Sequence, residues 1–353
     1  MQSLLSRARE TGTPIVDGAS VTFLWEGDEP PYLAADFNGW EPEPPGSWSR
    51  AGVGLWARTT QLPPDAYIEY ALLAEPSDDA RVPDPFNDRT TPNGLGHVNH
   101  YFYMPGAEPT PLTERRRGIP QGKVTRHRIE NDWLLANGVR RVHLYHPVTS
   151  DPVPLLVVFD GEDYRTRARI AHIVDNLVAQ RRIRPIALAL VENGGRARGV
   201  EYLCSDATAG FILTDVLSLA QARLNLLDPA AHPGAYGVLG ASMGGLMATY
   251  LGVRAPEVFG HVISQSGAFE LAETETVLHT LIRHGPAPAA KMWLDVGRYE
   301  WLLEPNRRMV SLMTEHGYDV TYREYHGGHN YPSWRDDLWR GLEHHFGPAN
   351  RSG

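Results

Sequence analysis

The 353-residue sequence predicts an α/β protein whose mostly parallel sheet is preceded by a small all-β sandwich. Three observations carry that prediction. Short runs of alternating polarity, broken by Pro, Gly and Asp, fill residues 20 to about 104. Apolar, β-rich runs alternating with helical patterns fill the remainder. Finally, a serine flanked by glycines stands where one of those apolar runs gives way to a helix.

The first region reads as "VTFLWEG", "PYLAADF", "LWARTTQL" and "YIEYALLAE", strand-length segments at the spacing of a small sandwich. The stretch "RVPDPFNDRTTPNGLGHVNHYFYMPGAEP" is rich in Pro, Asn and Gly and reads as loop followed by linker. This places a first domain over residues 1–110 and a second over 111–353. In the second, the strand candidates are "RRVHLYHP", "PLLVVFDG", "PIALALVE", "AYGVLGAS", "GHVISQSG", "KMWLDVG" and "DVTYREYHGG". Helical patterns lie between them at 165–180, 208–226, 244–254, 277–283 and 306–316, with a last one at 334–345. Strands apolar on both faces imply a parallel sheet covered by helices on both sides.

A formal net charge of -9 argues against a general nucleic-acid or membrane-surface binder. The opening "MQSLLSRARETGTP" lacks the apolar core of a signal peptide, so the expected location is cytoplasmic. Cys204 is the single cysteine, which rules out an intramolecular disulfide, and no reactive-thiol signature surrounds it. A homodimer through an exposed sheet or sandwich surface would be ordinary for such a chain.

Gly240-Ala241-Ser242-Met243-Gly244 fits G-x-S-x-G, follows the apolar run 236–239 and opens a helix. The glycines let the turn close and leave the serine oxygen exposed beyond the strand end. A serine hydroxyl is a weak nucleophile until a base takes its proton. His329 in "YHGGHNYPSW" follows the last strand candidate and is the expected base; His326 is its nearest rival among 15 histidines. A His326/His329 metal pair lacks a third ligand at familiar spacing, so neither a metal nor another cofactor is expected. The orienting acid should follow the preceding strand, where "WLDVGRYEWLLEPN" offers Glu300, favoured for its place after the Gly297 turn, with Asp295 as the alternative. The oxyanion donors expected are the N–H groups of Met243 and Gly161, with Glu162 beside the latter as a candidate substrate contact.

Taken together, these residues resemble the enterochelin esterase family within the esterase-D-like branch of α/β-hydrolases. The resemblance runs over nearly the whole chain, through "LLVVFDGEDY", "RARGVEYL", "GASMGGLMATYLGVRAPEVFGHVISQSGAF", "WLDVGRYEWLLEPNRRM" and "HGGHNYPSWRDDL". The segments "VTFLWEG", "AADFNGW" and "RVPDPFND" are similar to that family's lid-like sandwich, which is immunoglobulin-like. The resemblance implies an α/β-hydrolase domain with Ser242 as nucleophile, His329 as base and an acid at Glu300. It further implies that Arg196, Arg198 and Trp334 line the substrate site, and that the substrate is the trilactone of a catecholate siderophore. Arginines suit such an anionic ligand. In this reading the sandwich restricts which esters enter.

Two other readings stand beside it. "FNGW" also resembles glycogen-binding-type modules, with Trp40 and Trp56 as stacking candidates; this would suit a general carboxylesterase or a feruloyl or acetyl esterase acting on carbohydrate. A non-catalytic binding protein could keep the fold, but here serine, acid and histidine all survive in order.

Overall fold

Alternation of apolar and polar residues gives an N-terminal strand such as Ser20–Glu26 one face for a shared core. The computed structural model describes residues 3–348. Its first unit comprises the chain up to Pro109 together with two later segments, Gly297–Trp301 and Tyr325–Ser333. One sheet orders Ile15–Asp17, Ser20–Glu26, Leu55–Gln61 and Ser49–Gly52, all antiparallel. The other orders Tyr32–Ala35, Tyr67–Leu73, Val98–Tyr103 and Thr90–Pro92, with Arg81–Val82 also paired to Tyr67–Leu73, again antiparallel. Val21, Phe23, Leu33, Ile68, Tyr70, Leu72 and Phe102 form one core between them, in which the Phe23 and Tyr70 rings meet edge-on at 5.0 Å.

The second unit is built on eight strands: β1 (Lys123–Glu130), β2 (Val139–His146), β3 (Leu155–Val158), β4 (Ala187–Val191), β5 (Tyr236–Ala241), β6 (Phe259–Gln265), β7 (Lys291–Gly297) and β8 (Asp319–Tyr325). Their spatial order is β1-β2-β4-β3-β5-β6-β7-β8. From β4 to β7 the neighbours run parallel, whereas β1 with β2 and β2 with β4 are antiparallel. The sheet is therefore mixed, with four parallel and two antiparallel pairings among those described. The physical reason is a hairpin: the link from β1 to β2 is too short for a crossover, so the two strands must reverse. β1 itself, "KVTRHRIE", carries charge on half of its positions and escapes a search for apolar runs; such charge protects an edge strand from unwanted pairing.

The central strands β3, β4 and β5 are buried along their whole length. Helices Ile170–Ala179, Met243–Arg254 and Leu303–Glu315 contribute buried Ile173, Leu246 and Met309 beside the sheet. Among the described residues no single helix is long and apolar enough to cross a membrane.

Candidate active site

The serine elbow forms as its sequence dictates. β5 ends at Ala241 and the helix Met243–Arg254 begins two residues later, leaving Ser242 to make the whole reversal with φ 58° and ψ -124°. A non-glycine residue with φ in that range is strained by roughly 1–3 kcal/mol and persists only where its surroundings fix it. Here the Ser242 N–H donates to Gln265 O at 2.9 Å, and Ser242 O accepts from Ala268 N at 3.0 Å and Leu246 N at 3.1 Å. Gly240 is obligatory, because a Cβ there would lie 2.2 Å from Gly244 O. Met243 is the first helical residue, so its N–H is one of those that a helix start leaves without an intrahelical acceptor.

Gly161 opens the helix Gly161–Thr166 after β3, and its N-cap residue Asp160 has φ 51°. A Cβ on Gly161 would sit 2.3 Å from the carbonyl carbon of Leu190, so this glycine is required by the passing backbone of β4. Asp160 is buried, and its carboxylate accepts two 2.7 Å hydrogen bonds from the Arg198 guanidinium and a third, also 2.7 Å, from Asn193 Nδ2. Arg198 thus anchors the loop that ends in Gly161. Arg196 lies two residues earlier and is exposed. Glu162 is clamped by Arg165 at 2.7 and 2.9 Å, an arrangement that lowers its pKa through the hydrogen-bonded guanidinium. Glu162, His143 and Glu192 each bring one ligand-type atom within 4.8 Å of the others, but Glu192 also holds Arg141, at 2.7 Å, so both carboxylates already face a guanidinium.

Trp334 is buried and donates its indole N–H to Ser266 Oγ at 2.9 Å, while Gln265 Nε2 donates to Trp334 O at 3.1 Å. These bonds make Trp334 a brace for the end of β6. Asp295 is fully buried in β7, with Oδ2 accepting from Trp293 Nε1 at 2.8 Å; burial, then the nearby Asp337, holds its carboxyl well above the ordinary range.

Glu300 and His329 both belong to the first unit, through the segments Gly297–Trp301 and Tyr325–Ser333. His329 Nδ1 stands 2.5 Å from Glu300 Oε2, and Gly297 N donates to Glu300 Oε1 at 2.7 Å. Both oxygens of this buried carboxylate therefore have donors, which fixes the imidazole with Nδ1 protonated and Nε2 as the basic nitrogen. His326, the rival histidine, is engaged by Asp65 at 2.7 Å. The Trp301 ring, 69% exposed, lies 4.6 Å from the His329 ring. Cys204 is buried, which pushes its thiol up to about 11 and suits an inert side chain.

Sequence reasoning missed Asp160 and Trp301. The signal for Asp160 was present: it is the acid immediately before Gly161 in "FDGED", at the end of an apolar strand. Trp301 carried none, because the ring contact depends on where two separate loops meet.

A model of the family described as "Putative esterase" matches residues 136–345. The chain is 24% identical over 328 residues to the iron(III) enterobactin esterase of Escherichia coli strain K12, covering 83% of this chain and 79% of that protein. It is 26% identical over 372 residues to the iron(III) salmochelin esterase of Escherichia coli O6:H1 strain CFT073, covering 92% of this chain and 87% of the other. In structure it is similar to the ferric enterobactin esterase of Salmonella typhimurium, with a TM-score of 0.76, 22% identity and 92% of each chain covered. That likeness supports an α/β-hydrolase-type fold.

Proposed function

Because the chain belongs to this esterase family, whose match spans residues 136–345, we propose that it is a serine esterase acting on siderophore esters. The observation that carries the reading is the 2.5 Å pair between Glu300 and His329, the arrangement in which a carboxylate orients an imidazole as a base.

In the proposed reaction His329 Nε2 takes the Ser242 hydroxyl proton as Oγ bonds to the ester carbonyl carbon. The carbonyl π electrons move onto oxygen, and the N–H groups of Met243 and Gly161 meet the oxyanion. The intermediate collapses, the C–O bond to the alcohol breaks, and His329 returns the proton to the leaving alkoxide. Water then attacks the acyl-Ser242 ester by the same sequence, with His329 again as base, releasing acid and free enzyme. Glu300 stabilises the imidazolium that forms in each half. None of these steps calls for a metal or organic cofactor.

The substrate class rests on the relatives, which are enterobactin and salmochelin esterases. Ferric catecholate esters are anionic, and exposed Arg196 offers a guanidinium to them. Residues 1–110, read as an immunoglobulin-like sandwich, shape ester choice in this account, and the segments that carry Glu300 and His329 group with them in the first unit.

A hydrolysis panel tests the reading: ferric enterobactin, methyl ferulate and p-nitrophenyl esters of rising length, each with wild type and Ser242→Ala. Siderophore cleavage that disappears in the variant is expected. Turnover confined to short or aromatic esters would keep the serine mechanism and discard the siderophore assignment, and turnover that survives Ser242→Ala would discard the mechanism.

A further inference from the structure

We propose that Asp36 is a positioning residue for catalysis, fixing the backbone of the loop that presents His329. The inference rests on the reading of His329 as base.

Asp36 follows the strand Tyr32–Ala35 and is 2% exposed. Its carboxylate accepts from Glu69 N at 2.7 Å, from Trp40 Nε1 at 3.0 Å and from Asn330 Nδ2 at 3.5 Å. A Cβ on Gly328 would lie 2.0 Å from Asp36 Oδ1, so the Gly328 backbone rests directly on the carboxylate. Gly328 and Asn330 are the two neighbours of His329 in the chain. The carboxylate thus touches the catalytic loop on either side of the base, while Glu300 holds the imidazole itself.

The remaining contacts of the loop complete the grip. Tyr299 N donates to Gly327 O at 3.1 Å, Arg298 N to Tyr325 O at 2.8 Å, and Asn330 Oδ1 accepts from Ser333 N at 2.9 Å. Glu69 N and Trp40 Nε1 hold one carboxylate oxygen each, which limits how far Asp36 can move away from Gly328. This also accounts for "FNGW": Asn38 Oδ1 accepts from Ala35 N at 2.8 Å, Gly39 and Trp40 take φ of 67° and 64°, and the turn delivers the Trp40 indole N–H to Asp36. The motif builds a support for the base, a different task from stacking on sugar.

A buried carboxylate is costly to keep unless its acceptors are used. Its donors among the described residues belong to the turn, the paired strand Tyr67–Leu73 or the His329 loop. A shift of about 1 Å in a catalytic group lowers turnover by about 100-fold.

The test is a cycle of Asp36→Ala, Gly328→Ala and the double variant, with His329→Ala as the control, assayed on p-nitrophenyl acetate for kcat and KM separately. Each single variant is expected to lower kcat by about 10- to 100-fold with KM within about three-fold. The double variant should be no worse than the poorer single, because removing the carboxylate makes room for the new methyl group. A folded Asp36→Ala enzyme with wild-type kcat, or losses that simply multiply in the double variant, would overturn the proposal. If Asp36→Ala does not fold, Gly328→Ala decides alone: a folded protein with wild-type kcat overturns the proposal. Undiminished turnover in His329→Ala would instead overturn the underlying assignment of the base.

Discussion

Glu300 Oε2 and His329 Nδ1 meet at 2.5 Å, while the other oxygen of the carboxylate takes the Gly297 N–H at 2.7 Å. The Glu300 carboxylate is thereby held from the backbone of its own segment as it holds the imidazole. Replacing Glu300 with Gln should leave the fold intact and lower kcat by about 10³- to 10⁴-fold, the scale of losing the orienting acid. Asp295→Asn should stay within about five-fold of wild type, because burial already disfavours the charged form of this carboxyl and an amide of the same shape fills its place. Steady-state kinetics on both variants check this, and the reverse ranking would return the role to Asp295.

Arg196 and Arg198 differ by two positions but should fail differently. Arg198 is paired to buried Asp160, so Arg198→Met leaves a carboxylate without its cation and should cost about 2–3 kcal/mol, a value discounted for partial exposure. Arg196→Met should change stability by less than about 0.5 kcal/mol and act on KM for an anionic ester instead. Urea unfolding curves measured beside KM separate the two; equal stability in both variants would deny Arg198 its anchoring role.

Much of the site could be read from the sequence because its chemistry is local. The Ser242 elbow is a five-residue pattern tied to one strand and one helix, and the order of serine, acid and histidine follows from strand order. Trp334 shows the other case: its indole reaches Ser266, 68 positions away, and no local pattern announces that bond. The same holds for Asp36, whose partner Asn330 is 294 positions distant. Strand β1 was invisible for a different reason: an edge strand needs no apolar run, and its basic residues hide the alternation.

Gly161→Ala should destabilise the protein by about 1–3 kcal/mol, since the new methyl group meets rigid backbone at Leu190 rather than a side chain that can turn away. Thermal unfolding checks this. A variant as stable as wild type would mean that β4 yields at this point, contrary to the packing observed.

Stability should also fall in mild acid. His261 and His345 face each other with Nδ1 atoms 3.2 Å apart, and His345 Nε2 donates to Val262 O at 2.9 Å. Burial holds both in the neutral form, with His261 lowered to about 4 and His345 well below its ordinary range. The folded pKa of each is thus below the unfolded one, so between about pH 6.5 and 4 the unfolded chain binds more protons. Stability rises with pH across that window and is lost as pH falls through it, by about 3 kcal/mol from His261 alone. Replacing His261 with Gln should flatten the acid limb of a denaturation curve measured from pH 7 to 4.5; an unchanged limb would place the acid sensitivity elsewhere.

The central claim is that Ser242 is a nucleophile activated by His329. Fluorophosphonate labelling followed by peptide mass spectrometry tests it most directly, with wild type, Ser242→Ala, His329→Ala and Glu300→Gln side by side. The account predicts a single adduct on the Ser242 peptide, labelling slowed by about 100-fold or more in His329→Ala, and no adduct in Ser242→Ala. An unlabelled Ser242 in an enzyme that still hydrolyses esters, or equal labelling with and without His329, would contradict it.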